Sequence, residues 1–580
     1  MLPRSFLFVC CEEKSMSDAF HECDVLVVGS GAGGSSAALT AKIHGLHVLL
    51  VEKEPVFGGT TAYSGGWLWV PCNPLQKQEG IEDSLDDVRL FLREDLGNHY
   101  DEIKIEAFLA NAPEMVEFFD RNTAVKFFVG STLPDYHSGK PGSRTGGRSI
   151  CAQPINGREL GEDVHRLRKQ RRELLVFGMA LVSGPDLNHF YAAKKSLRSA
   201  AYVAKRLVVS LWDRLRHGRD LHLGNGAALA ARFLKSIRER GIDVWYSSPV
   251  RHLIIENNRI TGAVVERDGK MVKVLARKGV VLATGGFSND FERRRQIHPH
   301  RPSADQHFSL VPLSNTGDGL RLGEEAGGSV NTAVISTAPW MPVSRVPYPD
   351  GSTGTFLSIF DRGKPGMIAV KANGKRFVNE SAPYADFVPP MFAGDAPGQG
   401  SFAFIIGDHR AVRKYGLGIA KPAPLPIGKY LRSGYILKAD TIEGLAKLAG
   451  IDPAALRSTV DRFNEHARKG EDPEFGKGST PYNLYLGDPE HKPNPCVGPI
   501  ETPPFYALKI YPGDIGTFAG LRTDEFARVL DKTGQPIAGL YAAGADNGNV
   551  FGGGYPGGGS TLGPAVTFGY IAGRHLAGLI

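Results

Sequence analysis

The sequence has no Cys-x-x-Cys pair. Its six cysteines, Cys10, Cys11, Cys23, Cys72, Cys151 and Cys496, are scattered over 580 residues, a spacing that excludes a zinc ribbon and argues against a disulfide framework. A reducing, cytoplasmic compartment fits that usage, and no metal centre is expected. Nor does any window approach the ~18 uninterrupted apolar residues that a spanning helix needs. The stretch Phe6 to Cys11 is the amino terminus's only apolar one, and Glu12, Glu13 and Lys14 cut it short, leaving too little for a secretory signal. Residues 1–15 read as a disordered lead or as lying ahead of a start at Met16. There is no internal repeat, so solenoids are excluded, and aromatics are sparse among the basic residues, so nucleic acid is not an expected partner.

What is there is a globular composition. With 42% hydrophobic and 22% charged residues, the chain can bury enough apolar surface to offset its ordering entropy. At ~150 residues per domain, the length is a loose prior for several domains. Glycine is abundant, 71 residues without a collagen period, so tight turns and close backbone approaches recur.

Asp24 to Val28 is a continuous apolar run ending in glycines, the pattern of a strand buried on both faces of a parallel sheet. A helix from Gly33 to Ile43 and a strand from Val48 to Val51 complete a βαβ unit. Between them, Gly29-Ser30-Gly31-Ala32-Gly33-Gly34 supplies G-x-G-x-x-G, and Glu52 closes the second strand. In that context the motif is a dinucleotide fingerprint. Gly29 permits the turn, Gly31 lets the backbone reach a pyrophosphate, and Gly34 lets helix and strand pack. Ala32 and Gly33 stand at the entry to that helix, whose N-terminus attracts phosphate. Glu52 is placed to accept from ribose hydroxyls, with Lys53 beside it. The loop Gly58 to Gly66 adds Gly59, Thr60, Thr61, Ser64, Gly65 and Gly66, donors and turns for an extended cofactor, which points to FAD rather than NAD. No second G-x-G-x-x-G follows a strand, so a separate NADPH domain is not expected.

Further along, residues 82–119 alternate acidic and apolar residues at helical spacing, and a Gly/Ser/Pro-rich loop from Phe127 to Arg148 carries Tyr136. Residues 227–238 predict an amphipathic helix. Strands are expected at Val244–Tyr246, Val250–Glu256, Arg259–Arg267 and Lys278–Gly286. The βα rhythm is lost between 336 and 499 and returns in a strand at Leu540–Ala543, a glycine loop through Gly544 and Tyr555 to Gly559, and a helix after Ser560 and Leu562. The N-terminus of that helix could stabilise a reduced flavin.

Together the Gly29 fingerprint, GGTTAYSGG, ATGG at 283–286, TGDG at 316–319, RFVNESAPY at 376–384, GLYAAG at 539–544 and YPGGG at 555–559 resemble the flavoproteins grouped with fumarate reductase, and within them the 3-ketosteroid dehydrogenases. The similarity covers 20–580, with 150–220 matching poorly. The resemblance implies an α/β fold, with a discontinuous Rossmann-type FAD-binding domain in 20–335 and 500–580 and an inserted α+β catalytic domain in 336–499. It implies noncovalent FAD, since GGTTAYSGG holds no histidine, and extends the cofactor contacts to Val250, Ala283, Gly285, Asp318, Gly544, Ser560 and Leu562. Fumarate reductases place an arginine where this chain has Tyr555, which disfavours dicarboxylates.

By the same resemblance, Tyr555 and the Gly559 amide polarise a ring ketone, Tyr384 takes the proton from the neighbouring carbon, and Tyr136 assists it. Hydride passes to flavin N5, so a saturated ketone becomes an enone and an external acceptor reoxidises the flavin. A steroid-like ketone is the implied substrate, with a smaller cyclic ketone open. Two alternatives stand beside this reading. One is an enoate reductase, which needs Arg144, Arg148 or Arg362 as a replacement arginine, and the other is a flavin-binding protein without turnover. His137 and His307 are set aside as structural. Residues 165–220 hold thirteen Lys/Arg against four Asp/Glu. That segment reads first as a solvated helical cap and second as a peripheral contact for an anionic membrane, with Val203, Leu207, Val208, Leu211 and Trp212 as its apolar face.

Overall fold

The computed structural model describes residues 16–180, 182, 189–190 and 196–580. Cys10 and Cys11, and Asp186, Lys194 and Lys195 of the basic segment, lie outside them.

Five strands run parallel at the centre of the larger sheet. Met16–Val28 lies between Val48–Val51 and Lys270–Leu282, with Asp243–Trp245 beyond the first and Pro536–Ala542 beyond the second. The registers Val25↔Val48 and Val280↔Leu540 bring the carboxyl ends together. Side chains alternate between two faces, as the pleat requires. Val25 and Val27 enter one core with Leu39, and Leu26 and Val28 enter the other with Val265 and Val280. Antiparallel Val250–Glu256 and Arg259–Arg267 lead into Lys270–Leu282. That last strand starts eight residues before the expected Lys278 and stops at Leu282, because Gly285 and Gly286 take positive φ and leave the ladder. The helical pattern of 82–119 is two helices, Leu85–Leu96 and Glu102–Asn122, broken at Gly97, whose φ is +53°.

The helix Ala32–Ile43 packs against Leu562–Leu576, where the Ser36 hydroxyl donates to the Val566 carbonyl at 2.6 Å. A second, antiparallel sheet orders Met367–Val370, Ala403–Gly407, Phe505–Ile510 and Ile436–Ala439. The strand Phe505–Ile510 lies beyond the expected boundary at 499, yet it pairs on both sides within this sheet. The hydrogen bonding of this sheet therefore continues past 499. Alongside, Val343–Pro347 and Thr353–Leu357 form a two-stranded ribbon that bridges to Tyr511.

Candidate active site

The carboxyl ends of the parallel strands, the loops after them and the ribbon enclose the residues named from the sequence. Glu52 is buried. One of its oxygens accepts from the Ser30 amide at 3.0 Å and hydroxyl at 2.5 Å, and the other from the Glu54 amide at 2.9 Å. The Thr61 hydroxyl accepts from the Ala32 amide at 2.9 Å, tying the second loop to the fingerprint helix. Asn315 donates to Thr60 at 3.1 Å and to the Gly285 carbonyl at 2.7 Å, and Lys53 pairs with Asp318 at 2.7 Å. Ser64 donates to the Thr61 carbonyl and accepts from the Gly66 amide. Val250 is buried opposite Val265, while Leu562 is half-buried at the start of the last helix. Asp546 was not singled out from the sequence. Its buried carboxylate accepts from Thr284 and Gly286 and so ties the strand end at Ala283 to the turn at Gly544.

These residues fit FAD. A Cβ at Gly34 would stand 2.0 Å from the Gly29 carbonyl oxygen, so this glycine serves close packing. Gly31 and Gly544, from opposite ends of the chain, instead turn bare backbone toward open space. A Cβ at Gly544 would meet nothing within 4 Å, and one at Gly31 nothing nearer than 3.8 Å. The helix starting at Ala32 has no capping side chain, which leaves its first amides to the Thr61 hydroxyl and to an approaching phosphate.

Next to this cradle stand three tyrosines from three distant segments. Tyr136 rises from the 127–148 loop, Tyr384 opens the short helix Tyr384–Phe387, and Tyr555 lies in the C-terminal glycine loop. The Tyr136 hydroxyl donates to that of Tyr384 at 3.2 Å. The rings of Tyr136 and Tyr555 stack at 5.3 Å, and Tyr384 meets both edge-on at 5.5 and 5.4 Å. The Tyr384 and Thr561 hydroxyls and the Gly559 amide lie near the Tyr555 hydroxyl and temper the upward push that burial gives its pKa. Gly559 is at φ +103°, and a Cβ there would collide with the Trp67–Leu68 backbone, so no other residue presents the amide in this way. Tyr482, Met341, Leu310 and Phe518, none of them named from the sequence, complete the wall. Burial pushes all three phenols above their ordinary value.

His137 pairs with Asp95 at 2.6 Å and with Asp386 at 2.7 Å, and these two carboxylates raise its pKa to about 10. It thereby connects the residue next to Tyr136 to the helix that Tyr384 begins. Two arginines, Arg345 and Arg171, lie beside this tyrosine cluster. On the ribbon, Val343 and Arg345 share a face, paired with Leu357 and Thr355. Val343 and Leu357 pack with the tyrosines. Arg345 lies over the Phe308 ring at 4.3 Å and donates to the Thr355 hydroxyl. Arg171, from the poorly matching 150–220 segment, donates to the carbonyls of Thr355 at 3.1 Å and Leu310 at 2.9 Å. The carboxylate facing both is Glu173, which Arg171 and Arg172 already share at 3.6 and 3.5 Å.

The arginines that an enoate reductase would need are engaged elsewhere. Arg144 pairs with Asp87 at 2.6 Å, Arg148 with Asp83 and Asp135 at 2.8 Å each, and Arg362 donates to backbone carbonyls at 380 and 382. His307 belongs to a buried group behind the pocket wall. It meets Asp514 at 2.6 Å and His300 at 3.2 Å, with His298 nearby. His298, His307 and Asp514 bring one donor atom each within 4.8 Å of one another. Asp514 is already satisfied by His307, by the Ser309 hydroxyl at 2.6 Å and by the Gly516 amide at 3.1 Å, which reads as a structural network.

Residues 24–562 match the family described as FAD binding domain. The chain is 43% identical to 4-oxocyclohex-2-ene-1-carboxylate 5-dehydrogenase of Sinomonas cyclohexanicum, over 96% of this chain and 94% of that protein. It is 36% identical to 3-oxosteroid 1-dehydrogenase of Mycobacterium tuberculosis strain H37Rv, over 96% and 98%. The structure is similar to that of 3-ketosteroid delta1-dehydrogenase from Sterolibacterium denitrificans in complex with 1,4-androstadiene-3,17-dione, at a TM-score of 0.89 and 36% identity, covering 96% of this chain and all of the other.

Proposed function

The chain belongs to the FAD binding domain family and is an FAD-dependent dehydrogenase acting on CH–CH groups, and from that membership we propose that it desaturates the carbon–carbon bond beside a ring ketone. The observation that carries this reading is the convergence of Tyr136, Tyr384 and Tyr555 with the Gly559 amide beside the flavin cradle.

The Tyr555 hydroxyl and the Gly559 amide hold the ketone oxygen and stabilise the negative charge that develops on it, which acidifies the neighbouring C–H. Tyr384, as phenolate, takes that proton on its oxygen, and the Tyr136 hydroxyl stabilises the phenolate by its hydrogen bond. Bound FAD supplies the two-electron acceptor for the hydride leaving the next carbon. The apolar wall of Met341, Leu310 and Phe518 excludes water and strengthens each of these polar contacts. Glu52, Thr61 and the first turn of the helix at Ala32 hold the dinucleotide end of the cofactor.

Two kinds of ring ketone are compatible with the relatives, a steroid and an oxocyclohexane carboxylate. The two arginines Arg171 and Arg345 favour the second, because a bound carboxylate would answer a charge that Glu173 does not fully meet. The test is anaerobic bleaching of the enzyme's flavin absorbance by a saturated 3-ketosteroid, by 4-oxocyclohexanecarboxylate and by succinate, each alone. Bleaching by either ketone supports desaturation, and the faster one names the substrate class. Bleaching by succinate alone overturns the assignment of Tyr555.

A further inference from the structure

The helix Leu197–His217 is inverted. In a soluble protein an amphipathic helix ordinarily turns its apolar stripe inward, but this one buries Ser199, Arg206, Ser210 and Asp213. The buried face is held by polar contacts, Asp213 pairing with Arg158 and Arg206 with Asp220 at 3.7 Å. The opposite face presents Leu197, Leu207, Val208, Leu211, Trp212 and Leu215 to solvent, with Trp212 60% and Leu215 76% exposed. At 100° per residue these six fall within one arc of less than half the helix circumference. Lys205, Arg198 and Arg216 border the arc on one side and Arg214 on the other, all exposed. The only acid in the helix is the buried Asp213.

We propose that this face docks the protein on an anionic lipid surface, with the apolar arc entering the headgroup boundary and the flanking cations meeting lipid phosphates. Charge decides the occupant. A two-fold pairing of two copies would set the same cationic borders against each other, whereas an anionic bilayer answers both the arc and its borders. Among the described residues no helix is long and apolar enough to cross a membrane, so the contact lies in the plane of the interface. None of the helix's residues belongs to the cluster around the three tyrosines, so its substitution should leave the chemistry intact.

The experiment uses the full-length, FAD-loaded enzyme and vesicles of phosphatidylcholine, with or without a phosphatidylglycerol fraction. The enzyme is expected to sediment with the anionic vesicles and far less with the neutral ones, and its fluorescence to shift to the blue in a way that Trp212→Phe removes. The triple variant Leu211→Gln, Trp212→Gln, Leu215→Gln should keep its flavin and its turnover with a soluble acceptor, while its partitioning falls ~10-fold or more. Lys205→Glu with Arg216→Glu should weaken only the anionic preference. Three results would overturn the proposal. These are no partitioning into either vesicle, equal partitioning of the triple variant, or a dimer in light scattering that the same three substitutions dissolve.

Discussion

The hydroxyls of Tyr136 and Tyr384 lie 3.2 Å apart, although 248 positions separate them in the chain. Tyr555 stacks against the first and meets the second edge-on, so one substitution at a time can separate the three roles. Tyr384→Phe and Tyr555→Phe should each retain FAD and lower kcat by about 10²-fold or more. Tyr136→Phe should cost about 10-fold, since it removes a supporting donor and not the base. Near-normal kcat in both of the first two variants would refute the assignment.

The pH dependence of turnover follows from burial. Tyr384 faces Tyr136 and Tyr555, and desolvation raises all three phenols above the ordinary value of about 10. The competent phenolate is therefore the minor form at neutral pH, and kcat/KM should climb as the pH rises into the alkaline range. A profile level from about pH 7 to about pH 10 would exclude a tyrosine base.

His137, next to Tyr136, holds the helix that Tyr384 begins through Asp386 and the helix Leu85–Leu96 through Asp95. Its pKa is raised to about 10 in the folded protein, so its stabilisation is complete below the unfolded value of about 6.5 and is lost as the pH rises toward 10. Asp386→Asn should destabilise by about 1 kcal/mol at neutral pH, since the half-exposed Asp386 is screened by solvent, and the gap to the parent should narrow on the alkaline side. Denaturant unfolding at two pH values reads this directly. Rate measurements on the same variant should show kcat falling more than KM, because the helix carrying Tyr384 is released.

The buried histidines behind the pocket act in the opposite direction. Desolvation lowers the pKa values of His298 and His307, and that of His300 to about 2, and the Arg294 cation adds to it for all three. The unfolded chain binds these protons at about pH 6.5 and the folded chain does not. Stability should therefore be full above that value and fall progressively below it. His300→Gln should flatten the acid limb of a Tm-against-pH plot, and an unchanged limb would show that the acid sensitivity arises elsewhere.

Substrate charge is tested at the ribbon. Arg345→Gln should raise KM for 4-oxocyclohexanecarboxylate about 10-fold or more, in line with loss of a charged hydrogen bond, and leave a neutral 3-ketosteroid nearly unaffected. Equal effects on both would remove Arg345 from carboxylate recognition.

The sequence by itself determined what is local. The apolar run before Gly29, the glycine spacing and the Glu52 that follows specify a βαβ cradle because each feature acts within about 30 residues. The motif resemblance carried the tyrosines and the cofactor with it. Helix ends were less legible where one glycine decides them, as at Gly97, whose positive φ breaks a continuous helical pattern. Only the tertiary structure could place Asp546, Tyr482 and the His137 bridge. Partners such as Thr284 for Asp546, Tyr136 for Tyr482 and Asp386 for His137 lie more than 200 positions away, and a side chain's neighbours cannot be read from its own segment. The structure also set which side of the basic stretch's helix faces outward. The sequence showed an amphipathic helix but not which side faces outward, because that is set by Arg158 and Asp220, which lie outside the helix and hold its polar face inside.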